Sequence, residues 1–165
     1  MKRLVLYSFL ILLLSAFVSS CTQDMSEVRL DPQVGTTNQM NITSESAIVT
    51  GFIVAQGDGF SERGICYSTQ ANPTTADNKT VYDDDDNLAA FNVQLSGLNY
   101  ATKYYARAYA INESGTVYGE EISFTTLPIL ATVYTTMASA ITSNSATAGG
   151  NVMATGGADI TARGV

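Results

Sequence analysis

Leu98-Asn99-Tyr100-Ala101-Thr102-Lys103-Tyr104-Tyr105-Ala106-Arg107-Ala108-Tyr109-Ala110 alternates from Tyr104 onward. On an extended chain successive side chains point to opposite faces. Tyr104, Ala106, Ala108 and Ala110 therefore share one face, and Tyr105, Arg107, Tyr109 and Ile111 the other. The small-residue row is read as the core side, with Tyr104 buried and Tyr105 exposed. Asn112-Glu113-Ser114-Gly115 then forms a tight hairpin turn, and Thr116 to Thr125 returns as the last strand. Upstream, Ala89, Phe91, Val93 and Leu95 alternate in the same way. Ser46 to Ala55 is rich in Val, Ile and Thr and runs into the turn Gly57-Asp58-Gly59, while Arg63 to Ser68 is a short strand before Asn72-Pro73. No 3.6-residue apolar period is sustained after the N-terminal apolar run, so the expected fold class is all-β.

The chain also repeats itself. Ile42-Thr43-Ser44-Glu45-Ser46-Ala47 recurs as Ile141-Thr142-Ser143-Asn144-Ser145-Ala146, an offset of 99 residues. At the same offset Val34 matches Val133, Thr36-Thr37 matches Thr135-Thr136, and Gly51, Ala55 and Gly57 match Gly150, Ala154 and Gly156. One inserted residue later, Arg63-Gly64-Ile65 aligns with Arg163-Gly164-Val165. A period near 100 residues built from short strands has the size of an immunoglobulin-like sandwich. The second copy holds only the equivalent of the first third of the first, and is expected to be truncated and flexible.

Leu98, Thr102 and Tyr104 resemble the end-of-sandwich signature of fibronectin type III domains: Leu, then Thr, then Tyr entering the sixth strand. The resemblance implies that Tyr104 is a tyrosine-corner residue, its ring in the core and its hydroxyl bonded to upstream backbone. Asn112, Gly115 and Phe124-Thr125-Thr126 also fall where that family turns and closes. Tyr100 replaces the usual proline. The chain has no tryptophan, and Gly51 lies in the strand where the family usually buries one. Arg63 to Thr69 followed by Asn72-Pro73-Thr74 is similar to the tandem fibronectin-type variant of surface lipoproteins of the Bacteroides lineage. The expected organisation is a signal peptide at 1–20, a tether at 21–31, a fibronectin type III-like domain at 32–127 and a partial second repeat at 128–165.

The N-terminus supplies an address. Met1-Lys2-Arg3 is positive, Leu4 to Val18 is apolar, and Ser19-Ser20 leads to Cys21. That is the order of parts in a secretory signal peptide, and the run is shorter than the ~20 apolar residues a membrane-spanning helix needs. Val18-Ser19-Ser20-Cys21 resembles the lipobox of bacterial lipoproteins. The resemblance implies cleavage between Ser20 and Cys21, lipid attachment at Cys21, and anchoring in the cell envelope, with the outer membrane expected.

Composition narrows the chemistry. The chain has 8 basic and 15 acidic residues, a formal charge of −7. A nucleic-acid partner is not expected, because phosphate neutralisation needs a basic surface. There are no histidines, which removes Ser-His-Asp and Cys-His nucleophile systems and the usual zinc sites. No Gly-rich phosphate loop precedes a helix. No catalytic residue, metal site or cofactor is expected. Asp83-Asp84-Asp85-Asp86-Asn87 offers oxygen ligands for Ca²⁺, yet it lacks the alternating spacing and glycine of an EF-hand loop and reads as a solvated acidic loop. Three N-glycosylation sequons, at Asn41, Asn78 and Asn112, read as chance in a bacterial lipoprotein. With Cys21 lipidated, Cys66 stands alone and reads as a small buried hydrophobe.

The candidate ligand contacts are Tyr105, Arg107 and Tyr109, one strand face where aromatic and arginine side chains suit a recognition surface. The expected function is a non-catalytic lipid-anchored surface protein with adhesion or spacer modules, its partners the membrane through the lipid and an extracellular protein or glycan. Two other readings stand beside it. One is a glycan-binding module of a surface carbohydrate-uptake system. The other is the N-terminal fragment of a larger surface enzyme.

Overall fold

The computed structural model describes residues 30–84 and 89–165. The signal peptide, Ser20, Cys21, most of the tether, and Asp85, Asp86 and Asn87 of the acidic run lie outside the described residues.

Ten strands follow in chain order: β1 (Gln33–Met40), β2 (Ser46–Ala55), β3 (Glu62–Ser68), β4 (Asn78–Val81), β5 (Ala90–Ser96), β6 (Lys103–Asn112), β7 (Gly115–Tyr118), β8 (Ile122–Thr125), β9 (Thr132–Ser139) and β10 (Thr147–Ala154). The first eight build two antiparallel sheets. One is ordered β1-β2-β5; the other is β4-β3-β6-β7, with β8 also on β6. The fold is an all-β sandwich, as the alternation predicts. Two expectations change. The last strand of the first copy is two strands, because the chain breaks at Gly119-Glu120-Glu121: Gly119 donates its N–H to the Ala108 carbonyl, and its own carbonyl accepts from Arg107 Nε at 3.0 Å. β1 and β4 are strands that weak alternation did not reveal.

The core fills from both inner faces. β2 supplies Ala47, Val49 and Ile53, β5 supplies Phe91, Val93 and Leu95, β3 supplies Ile65, and β6 supplies Tyr104, Ala106 and Ala108. Gly51 stands opposite Phe91 in the β2–β5 register. A Cβ at Gly51 would sit only 2.4 Å from the edge of the Phe91 ring. Phe91 thus occupies, from the neighbouring strand, the volume that a large residue at Gly51 would have filled. The sheets are also stitched by a polar bond: Ala108 N–H donates to Thr36 Oγ1 at 2.8 Å, with Thr36 buried.

The end of the sandwich closes as the Leu-Thr-Tyr pattern implies. Tyr104 Oη accepts the Asn99 N–H at 3.0 Å, and the ring stacks on Phe124 and meets Tyr67 edge-on. Thr126, buried, accepts from Thr102 N–H at 2.9 Å and donates to the Asn99 carbonyl at 2.6 Å. This clamp leaves the buried polar groups of the turn paired, as burial requires.

β9 and β10 form a separate two-stranded sheet that repeats the β1–β2 register except at Gly149, which pairs with Thr136 where Thr50 pairs with Asn38. Thr36↔Gly51 and Val34↔Ile53 become Thr135↔Gly150 and Val133↔Val152. The Thr43–Ser46 turn, with its hydroxyl pair at 2.8 Å, recurs as Thr142–Ser145 at 2.7 Å. Asn41 (φ 49°) and Ala140 (φ 50°) share the left-handed conformation. The difference is cover. Every residue of β9 and most of β10 is exposed, while alternate residues of β2 are buried.

Candidate functional site

The outer face of β6 carries the residues singled out in the sequence, and it brings together only part of that set. Tyr105 is half-buried, opposite Ser68 on β3 and Ser123 on β8, with Lys103 Nζ 4.8 Å from its ring centre. Arg107 is half-buried too, and it is already engaged. Its Nε holds the Gly119 carbonyl, and its guanidinium lies 4.8 Å above the Tyr118 ring. Tyr118 Oη in turn accepts the Thr75 N–H and forms a 3.1 Å hydroxyl pair with Thr75 Oγ1.

Tyr109 corrects the expectation of a third exposed contact. It lies on the outward face as period two demands, yet it is 0 % exposed. The reason is its cross-strand partner Gly64. With no side chain there, the Tyr109 ring lies down over β3. A Cβ at Gly64 would sit 2.9 Å from the Tyr109 hydroxyl. That hydroxyl donates to Glu62 Oε1 at 2.7 Å, and Lys79 Nζ bonds the same oxygen at 2.7 Å. Lys79 and Tyr109 together hold the Glu62 carboxyl below the usual carboxylate range. Burial, then the Glu62 charge, push the Tyr109 hydroxyl up. Tyr109 is a structural member of the outer layer.

A second departure concerns Cys66. It is buried, as expected, but on the outward side of β3 opposite Arg107, and not in the main core. Residues 69–77, between β3 and β4, fold back over it. Pro73 is fully buried, and the thiol lies 3.5 Å from the carbonyls of Pro73 and Arg107. Asn72 N–H donates to Glu121, which ties this strap down near the β7–β8 break. Asn72-Pro73 marks the turn in the sequence; nothing there marks where the loop lands. Burial raises the thiol to about 11, against a smaller opposing pull from Arg107. Cys66 is therefore expected to resist a thiol reagent at pH 8 in folded Cys21→Ser protein, and to react fully in urea, because the thiolate is the nucleophile. Rapid labelling of the native protein would mean that the strap opens readily.

What remains for contact is a small polar and aromatic surface, Tyr105 with Lys103, edged by Ser68, Ser123 and the engaged Arg107–Tyr118 pair. Among the described residues, no group of three or more His, Cys, Asp or Glu is placed to hold a metal, and no helix is long and apolar enough to cross a membrane. Asp83 and Asp84 are described; the rest of the acidic run is not.

No protein-family model matches the chain, and no curated protein does. Among solved structures, the chain is similar to the sensor domain of the anti-sigma factor RsgI4 in Pseudobacteroides cellulosolvens. A shorter form of that domain aligns at 19 % identity and a TM-score of 0.43, over 58 % of this chain and 94 % of the other. A longer form aligns at 18 % identity and 0.43, over 59 % and 90 %. The likeness is one of fold. It carries nothing about ligand or partner.

Proposed function

We propose that this chain is a non-catalytic surface lipoprotein whose fibronectin type III-like sandwich serves as an adhesion or spacer module, held to the outer membrane through lipid on Cys21. The observation that carries the reading is the closed end of the sandwich: Leu98, Thr102, Tyr104 and Thr126 form a corner in which buried polar groups are paired and the core is sealed. Such an end gives a stiff module, suited to holding something away from a membrane. On the outward side, Arg107 bonds the Gly119 carbonyl and lies over the Tyr118 ring, and Tyr109 bonds Glu62, so these polar side chains stiffen the sheet.

Anchoring is tested at Cys21. One acyl chain binds a membrane only marginally and two or more anchor it stably. The Cys21→Ser variant is expected to leave the membrane fraction or to persist as an uncleaved precursor, read by fractionation and intact mass. Mature protein still in the membrane fraction would sink the lipid reading.

The half-buried Tyr105 with Lys103 beside it favours a second reading, a module that stacks a sugar ring of an extracellular glycan. A glycan array with wild type and Tyr105→Ala separates the two: binding lost on substitution supports the glycan reading, and no binding supports the spacer.

A further inference from the structure

We infer that the outer face of the β1-β2-β5 sheet binds a neutral glycan, with Phe52 as the platform on which a sugar ring stacks. This surface is on the opposite sheet from Tyr105, and the inference goes beyond the spacer reading.

The platform follows from one cross-strand pair. Phe52 on β2 points outward and stands opposite Gly35 on β1. Side chains of a strand ordinarily stand up from the sheet. With no side chain at Gly35 to hold it off, the Phe52 ring lies down across β1. A Cβ at Gly35 would lie 2.2, 2.5 and 2.8 Å from Cζ, Cε1 and Cε2 of that ring. A point outside the ring comes that close to all three atoms only from above its plane. The ring therefore turns one face to Gly35 and the other to solvent, which is why it is half-buried. Its neighbour on the other side is Ala90 of β5, small and exposed, so nothing there shades the outer ring face.

The surroundings select the ligand. β1, β2 and β5 contain no Asp, Glu, Lys or Arg, in a chain of formal charge −7. The opposite sheet, in contrast, carries Glu62, Lys79, Lys103 and Arg107. The rung next to Phe52 is Asn38, Thr50 and Asn92, and both amides are exposed. Thr50 Oγ1 donates to Asn92 Oδ1 at 2.7 Å, which orients that amide and leaves its NH₂ as a donor to a ligand. A pyranose ring matches this layout. Its C–H face is apolar enough to cover an aromatic face, and the hydroxyls on its rim bond amides, which both donate and accept. An acidic sugar would find no cation on this face and would meet a chain of its own sign. An apolar partner would strand the amides without bonds.

Affinity electrophoresis of the Cys21→Ser chain tests the site. Each gel holds one polymer: a β-glucan, a galactomannan, a dextran, or the acidic polygalacturonate. The expected result is retardation by at least one neutral polymer and none by polygalacturonate. Phe52→Ala is expected to lower the association constant several-fold. Because that variant also uncovers Gly35, Asn92→Ala is the second probe. It removes an exposed amide and is expected to weaken binding several-fold with the urea midpoint unchanged. Retardation by no neutral polymer would overturn the inference and leave the spacer reading standing. Retardation that both variants keep would overturn it too, as would retardation that Tyr105→Ala abolishes and Phe52→Ala does not.

Discussion

Tyr104→Ala is expected to destabilise the first sandwich by about 3–5 kcal/mol, the range for deleting a large buried aromatic. At an m-value of about 1.5 kcal/mol/M for a domain of this size, the urea midpoint falls by about 2–3 M. The loss has two sources. The ring is 6 % exposed and lies between Phe124 and Tyr67, so truncation opens a cavity at the end of the core. The hydroxyl accepts from Asn99 N–H, so truncation also strands a backbone donor in the corner. Tyr104→Phe separates these: it keeps the ring and is expected to cost about 1–2 kcal/mol, the penalty for an unpaired group. Tyr105→Ala removes a half-buried ring whose nearest cation is Lys103 at 4.8 Å, and should cost about 1 kcal/mol or less. Equal losses at 104 and 105 would mean that the strand faces are reversed.

This asymmetry was legible because β6 alternates without interruption and its inner row is small. β5 was legible for the same reason, with Phe91, Val93 and Leu95 all buried. β1 was not. Gln33–Met40 is mostly polar, and it is a strand because β2 pairs with it and because Thr36 Oγ1 takes the Ala108 N–H from the other sheet. Neither partner can be read from the segment itself. Tyr109 failed for a related reason. Period two places it outward correctly, but whether an outward ring is wet depends on what stands across from it. Here that residue is Gly64, which leaves room for the ring to lie flat. Cross-strand register decides the matter, and register is a tertiary quantity. The strap over Cys66 escaped as well, since a turn signal at Asn72-Pro73 reports that the chain bends and not where it lands. The candidate site thus shrank from three residues of one strand to Tyr105 with Lys103. The residues that fix its edges, Tyr118, Thr75 and Glu121, come from loops and strands far away in sequence.

Hydrogen exchange on a dilute, monomeric sample is expected to divide the chain sharply at Pro128. Amides of β2, β3, β5 and β6 should be protected close to the global unfolding limit, and those of β9 and β10 should exchange orders of magnitude faster, near the rate of open peptide. The two hairpins make this an internally controlled comparison. β1–β2 and β9–β10 share most of their register, the turn hydroxyl pair and a left-handed turn conformation at Asn41 and Ala140. Backbone bonding is therefore similar, while β10 has Ala148, Gly149 and Asn151 where β2 has the stronger strand formers Val49, Thr50 and Phe52. Burial differs too: β2 packs Ala47, Val49 and Ile53 against β5 and the opposite sheet, whereas Val133 and Met153 are each 68 % exposed. A two-stranded ribbon without an apolar cover is marginal in water, because paired backbone groups gain little over water unless side chains are buried with them. The ratio of protection factors at matched positions, Gly51 with Gly150 and Ile53 with Val152, measures what tertiary cover and the stronger strand formers of β2 add together. Strong protection across 132–154 in the dilute monomer would show that the ladder and its turn suffice without cover, and the burial account of this fold would fail.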